Sequence, residues 1–150
     1  MARNRISVMH GVNLDALDRR PSELYGGLTF TKLERSIDEF AHDLGLSVRF
    51  FQSNSEAEFV EELHRARDSA DGLLLNPGAW THYSWAIRDA LEIAGLPAVE
   101  IHLSDVDARE DFRRISVVRD LCLATVKGEG PAGYRTALTR LKEHLEHRDA

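Results

Sequence analysis

Short apolar runs alternate along the chain with segments of helical periodicity. Five of these runs predict strands: Arg5–His10, Ser47–Gln52, Gly72–Leu75, Ala98–Leu103 and Leu121–Val126. Most of the runs are continuous rather than alternating between apolar and polar residues. This pattern is typical of parallel strands that are covered by helices on both faces.

Four helices are predicted around these strands. Two of them begin at capping boxes, in which paired side chains satisfy the free backbone N–H groups of the first turn: Thr31 with Glu34, and Ser55 with Glu58. Gly45 is the predicted stop of the first helix. The other two helices are predicted from about Ser84 to Ala94 and from about Pro131 to His147.

The order of these elements predicts the fold class. Five strands alternating with helices indicate right-handed crossovers and a doubly wound α/β sandwich. The flavodoxin-like parallel sheet, with strand order 2-1-3-4-5, fits a single domain of residues 1–150. Ligands of such sheets bind beyond the carboxyl ends of the strands, at the switch point between strands 1 and 3. A site is therefore expected after His10, after Leu75 and near Leu103.

Composition narrows the classes of partner. The chain is 43% hydrophobic and 29% charged, which is typical of a soluble globular protein. No apolar run approaches the ~20 residues of a membrane span, and the first residues lack the apolar segment of a signal peptide. The net charge of −6 disfavours nucleic acid. With Cys122 as the single cysteine, in an apolar run, a cytoplasmic location is expected.

Polar residues interrupt the predicted fourth strand. Val99, Ile101 and Leu103 share one of its faces, whereas Glu100, His102 and Ser104 share the other. Burying a carboxylate and an imidazole is costly unless they pair or serve a ligand. Because residues two apart in a strand stand roughly 7 Å apart, Glu100 could act on His102 through space or through a bridging group. A structural pair at an edge strand is the alternative interpretation.

Two further stretches carry candidate chemistry. Asn76 and His82 follow the third strand in "NPGAWTH", where Asn76 could equally cap the turn and His82 could equally lie at the surface. "DAREDFRR" offers arginines at 109, 113 and 114. Their spacing is usual for a solvated charged face, although one guanidinium turned inward could bind a carboxylate through two hydrogen bonds.

No motif predicts a cofactor. His82, His102 and Glu100 could be drawn together around zinc, but the chain has no dense metal-ligand motif such as HExxH. No glycine-rich phosphate-binding motif follows the first strand. Neither a metal nor an organic cofactor is therefore expected.

Taken together, four stretches resemble the type II 3-dehydroquinate dehydratases in order and spacing over nearly the whole chain. They read "GVNLDALDRRPSELYG", "NPGAWTHYSWAIRDAL", "VEIHLSDVDAREDFRRIS" and "GEGPAGYRTAL". The resemblance implies a flavodoxin-like fold and a cofactor-independent hydro-lyase. It also implies anti elimination of water from 3-dehydroquinate through an enolate, in the shikimate pathway of aromatic amino acid biosynthesis or in quinate catabolism. A dodecamer built from trimers is implied as well.

The resemblance assigns roles to individual positions. Tyr25 aligns with the catalytic base and His102 with the general acid. The groups that assist them align with Arg20, Asn13 and Glu100. The substrate-binding positions align with Asn76, His82, Leu103, Ser104 and Arg113, and the residue that reaches a neighbouring subunit's site aligns with Asp89. Residues 13–27 correspond to a mobile lid over the site.

The chain departs from the family pattern mainly in this lid, at Asp15, Asp18 and Pro21, and again at Ile115 and Val117. Proline restricts the residue before it to an extended backbone, which affects Arg20 and makes its neighbour, Arg19, an alternative candidate. The alternative function is that of an altered homologue that binds or acts on a related cyclohexane carboxylate.

Overall fold

The computed structural model describes residues 3–149, with side chains for residues 3–147. Met1, Ala2 and Ala150, which the predicted domain includes, lie outside the described residues. Five parallel strands form one sheet: β1 (Arg5–His10), β2 (Ser47–Gln52), β3 (Gly72–Asn76), β4 (Ala98–His102) and β5 (Ala124–Lys127). Their order is β2-β1-β3-β4-β5, which confirms the predicted flavodoxin-like sheet.

A short helix, α1 (Ser22–Tyr25), lies in the segment after β1 and buries none of its residues. The longer helices cover both faces of the sheet: α2 (Phe30–Leu44), α3 (Glu56–Ser69), α4 (Trp85–Ala94) and α5 (Ala132–Asp149). The α2 and α5 helices bury their apolar residues against one face, where Ile6 and Val8 of β1 lie. The α3 and α4 helices do the same on the other face, against Met9 and Leu75. No helix within residues 3–149 is both long and apolar enough to cross a membrane.

Two predicted boundaries are wrong. The first capping box is not formed, because the N-cap of α2 is Thr29, whose Oγ1 accepts a hydrogen bond from the backbone N–H of Lys32 at 3.2 Å. Phe30 packs against the core, so the helix begins before Thr31. The fifth strand begins at Ala124 rather than Leu121, because Arg119–Leu121 form a 3₁₀ turn.

The register brings the carboxyl ends of the strands together. His10 of β1 is paired with Gln52 of β2 and with Asn76 of β3. Directly after these strands, the backbone N–H of Gly11 donates to the carbonyl of Asn76 at 2.8 Å. A Cβ at Gly11 would lie 2.2 Å from the carbonyl oxygen of Pro77. Glycine therefore lets the segments that follow β1 and β3 touch.

A buried hydrogen bond joins the sheet to α5. His10 Nε2 lies 2.8 Å from Tyr134 Oη, and both side chains are fully buried. Burial lowers the pKa of His10 to about 3. The imidazole is therefore neutral near neutral pH, and its Nε2 accepts the proton of the Tyr134 hydroxyl. Burial also raises the pKa of Tyr134, so that hydroxyl keeps its proton.

This buried histidine predicts a specific pH dependence of stability. The unfolded chain protonates His10 near pH 6.5, whereas the folded chain protonates it only near pH 3. The free energy of unfolding should therefore decrease as the pH is lowered from 6.5 to 3. The slope from this group is about 1.4 kcal/mol per pH unit, or about 5 kcal/mol in total. Above pH 6.5 the group contributes no pH dependence.

Urea unfolding of the wild type and His10→Gln, measured between about pH 7 and about pH 4, checks this expectation. The variant should lose this part of the slope, whereas His64→Gln, at an exposed position of α3, should retain it. Equal slopes in all three proteins would contradict a neutral, buried His10.

Candidate active site

A cavity of about 430 Å³ opens at the carboxyl ends of β1, β3 and β4. This is the edge of the sheet where the topology predicts a ligand. Its volume lies within the usual range for small-molecule sites. The polar side chains that line it come from three separate stretches of the chain: Asn13, Arg19, Arg20, Tyr25, Asn76, His82, His102, Ser104, Arg109 and Arg113. The four guanidinium groups make the cavity suited to an anion.

Glu100 of β4 is fully buried at the back of this cavity. Its Oε2 accepts a hydrogen bond from His102 Nε2 at 2.6 Å. Its Oε1 accepts from the hydroxyls of Ser116 and Thr125, at 3.0 and 3.1 Å. Burial by itself raises the pKa of Glu100, but the hydrogen bond and charge of His102 and the Ser116 hydroxyl hold it below its ordinary value. The group is therefore an ionised, hydrogen-bonded carboxylate.

This contact decides between the interpretations of Glu100 and His102. The two side chains bond directly, without a bridging group. Their strand is not an edge strand, because β4 lies between β3 and β5. The carboxylate accepts the hydrogen bond of the His102 Nε2–H group, which leaves Nδ1 as the ring nitrogen available to a ligand.

His82 lies beside His102, with the two rings stacked at 6.4 Å between centroids. Its Nδ1 donates to the carbonyl of Ile115 at 2.7 Å. Burial lowers the pKa of His82, the positive charges of His102 and Arg113 add to this effect, and the bond to Ile115 opposes it. The ring is therefore held neutral, with Nε2 free to accept a hydrogen bond.

Tyr25 lies across the cavity, between two guanidinium groups. Arg109 Nη1 donates to Tyr25 Oη at 3.0 Å, and the same nitrogen lies 3.3 Å from Ser104 Oγ. Arg20 lies over the tyrosine ring, 4.9 Å from its centroid. The arginine that contacts the hydroxyl is therefore Arg109 and not Arg20, which the sequence placed beside it.

Arg109 is the site residue that sequence reasoning missed, because its spacing favoured a solvated charged face. That interpretation is wrong for Arg109 and Arg113, which both line the cavity. The signal that could have found Arg109 is its position five residues after Ser104, in the loop that leaves the end of β4. Arg113 forms an ion pair with Glu110 and lies over the ring of Phe112.

Asn13 lies at the mouth of the cavity, with a left-handed backbone (φ 69°) that asparagine tolerates better than most residues. Its backbone N–H donates to Asn54 Oδ1 at 2.8 Å. Asp15, one of the departures from the family pattern, accepts a hydrogen bond from Asn54 Nδ2 at 3.2 Å. One asparagine after β2 therefore anchors the start of the predicted lid, whose mobility stays a prediction.

The described residues offer neither a cluster of metal ligands nor a reactive thiol. Within residues 3–149, no group of three or more His, Cys, Asp or Glu side chains could hold a metal ion. Burial raises the pKa of Cys122 to about 12, and the negative charges of Glu100 and Asp120 contribute. The thiol is therefore protonated and a poor nucleophile.

The sequence matches a family model described as "Dehydroquinase class II" over residues 4–142. The chain belongs to the class II dehydroquinase family. A 3-dehydroquinate dehydratase of Thermotoga neapolitana is 45% identical over 139 residues, covering 93% of this chain and 94% of that protein. One from Pelotomaculum thermopropionicum is 44% identical over 134 residues, covering 89% and 93%.

The fold agrees with this membership. The crystal structure of a type II dehydroquinase from Propionibacterium acnes superposes with a TM-score of 0.89. It is 38% identical in sequence, and the match covers 95% of this chain and 98% of that one. The resemblance inferred from the four sequence stretches is thereby confirmed.

Most residues that the dehydroquinase resemblance singled out come together in space. Those that line the cavity are Asn13, Arg20, Tyr25, Asn76, His82, His102, Leu103, Ser104 and Arg113. Glu100 lies directly behind His102. Asp89 is not among the lining residues; it is exposed on α4. Its predicted role needs a neighbouring subunit and stays a prediction.

Proposed function

We propose that this class II dehydroquinase is a 3-dehydroquinate dehydratase, a hydro-lyase that converts 3-dehydroquinate to 3-dehydroshikimate through an enolate. The observation that carries the proposal is that two hydrogen-bonded pairs meet at one cavity. Tyr25 with Arg109 is one pair, and His102 with Glu100 behind it is the other. A base and an acid on opposite sides of a substrate are what an anti elimination requires.

Tyr25 is the proposed base. A free tyrosine ionises only near pH 10, so a tyrosine base needs nearby positive charge. Arg109 donates to its hydroxyl oxygen, and Arg20 lies over its ring, so both guanidinium groups favour the phenolate. The phenolate removes the proton from the carbon beside the ketone, and the electron pair of that C–H bond moves onto the ketone oxygen.

The enolate oxygen then needs hydrogen-bond donors. The proposed donor is a water held with the help of Asn13, at the mouth of the cavity. Fixed donors at an oxygen that gains charge in the transition state are among the largest contributors to catalysis.

His102 is the proposed acid. Its protonated imidazole gives the Nδ1 proton to the tertiary hydroxyl as the carbon–oxygen bond breaks, so the hydroxyl leaves as water. The enolate electrons form the new carbon–carbon double bond, and the ketone is restored. The ionised Glu100, 2.6 Å from Nε2, stabilises the imidazolium before the transfer. The Tyr25 proton returns to His102 through solvent to complete the cycle.

The remaining lining residues are proposed to orient the substrate. The guanidinium of Arg113 supplies positive charge for the carboxylate, and Leu103 and Ser104 border the same region. Asn76 and the neutral His82 offer a donor and an acceptor for ring hydroxyls. The alternative function is that of an altered homologue that binds or acts on a related cyclohexane carboxylate. Such a ligand would bind through the same lining arginines.

A homo-oligomer, built as a dodecamer from trimers, is proposed to be the working form. Apolar side chains are exposed beside the cavity, with Trp85 at 65%, Tyr83 at 60% and Ile115 at 58%. Exposed apolar patches of this kind often mark protein interfaces. Asp89 lies one helical turn after Trp85, so a subunit that covers Trp85 would also meet Asp89. The proposed location is the cytoplasm, and the pathway is aromatic biosynthesis or quinate catabolism.

The function is tested by incubating purified protein with 3-dehydroquinate and following the conjugated enone of the product by ultraviolet absorbance. Tyr25→Phe should lower kcat at least about 100-fold, because a positioned acid or base contributes roughly 10²- to 10⁴-fold. Tyr83→Phe, which removes the hydroxyl of a tyrosine that does not line the cavity and keeps its ring, is the matched control. Substrate binding without any product from the wild type would favour the alternative function, and a nearly active Tyr25→Phe would exclude Tyr25 as the base.

The three arginines around the lid are expected to differ in the same assay. Arg109→Met should lower kcat about as strongly as Tyr25→Phe, because it removes both the charge and the donor at the phenolate oxygen. Arg20→Ala should cost roughly 10-fold or more through lost charge over the ring. Arg19→Ala and the exposed control Arg114→Met should stay within about 3-fold of the wild type. A loss confined to Arg19→Ala would show that Arg19 has the role proposed for Arg20.

Assembly is tested by sedimentation velocity on the wild type and on Trp85→Glu. The wild type should sediment as a large oligomer, and the buried charge in the variant should shift it to smaller species with lower activity. Glu39→Lys, an exposed charge reversal on α2, is the control. A monomeric wild type at full activity would refute the proposed working form.

A further inference from the structure

Three polar side chains are hydrogen-bonded in a row from the buried His10, through Tyr134 of α5, to Asn76 at the cavity. The proposed chemistry uses only Asn76. His10 and Tyr134 are fully buried, and Asn76 is 4% exposed and lines the cavity. Asn76 Nδ2 donates to Tyr134 Oη at 3.2 Å, and Tyr134 Oη lies 2.8 Å from His10 Nε2. The three residues come from β3, α5 and β1 and are held together only by the tertiary fold.

The hydrogen bond from the backbone of Gly78 sets the direction of the others in this chain. The backbone N–H of Gly78 donates to Asn76 Oδ1 at 3.2 Å, so the amide oxygen faces the loop after β3. Tyr134 Oη accepts from Asn76 and therefore directs its single proton to His10 Nε2. The imidazole can accept that proton because burial keeps the ring neutral. One N–H of Asn76 Nδ2 is used by Tyr134, and the other is left for the cavity.

The opposite orientation of the amide would lose the hydrogen bond from Gly78. It would turn the Nδ2 group of Asn76 toward the backbone N–H of Gly78, where two donors would face each other. The amide oxygen would then take the single proton of Tyr134 Oη, and His10 would have to donate from Nε2 instead of accepting there. Buried polar groups without partners are costly, so one orientation is strongly preferred.

We propose that Tyr134 and His10 are positioning residues that fix the amide of Asn76 with an N–H group pointing into the cavity. The proposal deepens the function proposed above and rests on it, since it states what Asn76 offers the substrate. A fixed donor selects a substrate that presents an acceptor oxygen at this point, such as a ring hydroxyl of 3-dehydroquinate. A freely rotating amide could pair there with either a donor group or an acceptor group of the substrate.

His10 contributes only through its Nε2. Its ring contacts Phe30 edge to face at 5.1 Å and lies against Tyr134, neither of which carries charge. Its Nδ1 is buried and has no hydrogen-bond partner among the described residues. Since Nε2 accepts a proton from Tyr134, the neutral ring carries its own proton on this Nδ1. Nε2 is therefore the atom through which His10 orients the Tyr134 hydroxyl.

A double-mutant cycle on Tyr134→Phe and Asn76→Ala tests the proposal with the intact protein. Tyr134→Phe keeps the ring and removes the hydroxyl, which is both the acceptor for Asn76 and the donor to His10. It should raise KM for 3-dehydroquinate about 10-fold while kcat changes less than about 3-fold. In the Asn76→Ala background the same substitution should cost less than about 2-fold in kcat/KM. An equal loss in both backgrounds would show that Tyr134 acts by general packing, and would overturn the proposal.

A second measurement separates this proposal from the proposed function. If the wild type binds 3-dehydroquinate without turnover, the same cycle is read from Kd by calorimetry. If it does neither, the proposed function fails, and crystal structures of the wild type and Tyr134→Phe at about 1.2 Å or better decide the orientation. A rotated or doubly occupied Asn76 amide in Tyr134→Phe supports the proposal, and an unchanged amide overturns it.

Discussion

The buried carboxylate of Glu100 is the constraint on which the site depends. A charge inside a central strand is tolerated only when donors surround it, and these donors come from three parts of the chain. His102 follows on the same strand, Thr125 belongs to β5, and Ser116 belongs to the loop between them. Satisfying one carboxylate therefore aligns β4 with β5, holds the intervening loop against the sheet and fixes the imidazole that faces the cavity.

The opposite wall depends on a second long-range contact. Arg109, in the loop after β4, donates a hydrogen bond to the hydroxyl of Tyr25, which lies beyond the end of β1. The loop after β4 therefore carries both a partner of Glu100, through Ser116, and the partner of Tyr25. The acid and base sides of the proposed reaction are connected through this one loop. In the proposed reaction, the carboxylate of Glu100 lies beside the acid, and the guanidinium of Arg109 lies beside the base.

The departures from the family pattern in the lid are accommodated locally. Arg20, which precedes Pro21, has the extended backbone that proline imposes (φ −93°, ψ 159°), yet its guanidinium still lies over the Tyr25 ring. Asp15 is bonded to Asn54, and the same asparagine bonds the backbone of Asn13. Asp15 therefore contributes a contact that holds the start of the lid beside the strand end.

The sequence by itself determined the architecture, because burial on both faces of a parallel sheet leaves continuous apolar runs that can be recognised locally. Those runs located β1 and β2 correctly and gave the order of the sheet, and the strand ends located the cavity. Only the tertiary structure decided that Thr29 caps α2, that Arg109 bonds Tyr25, and that Tyr134 joins His10 to Asn76. Arg109 is 84 residues from Tyr25, and Tyr134 is 58 residues from Asn76. Local periodicity reports which face of an element is buried, whereas such pairings depend on how distant elements pack against one another.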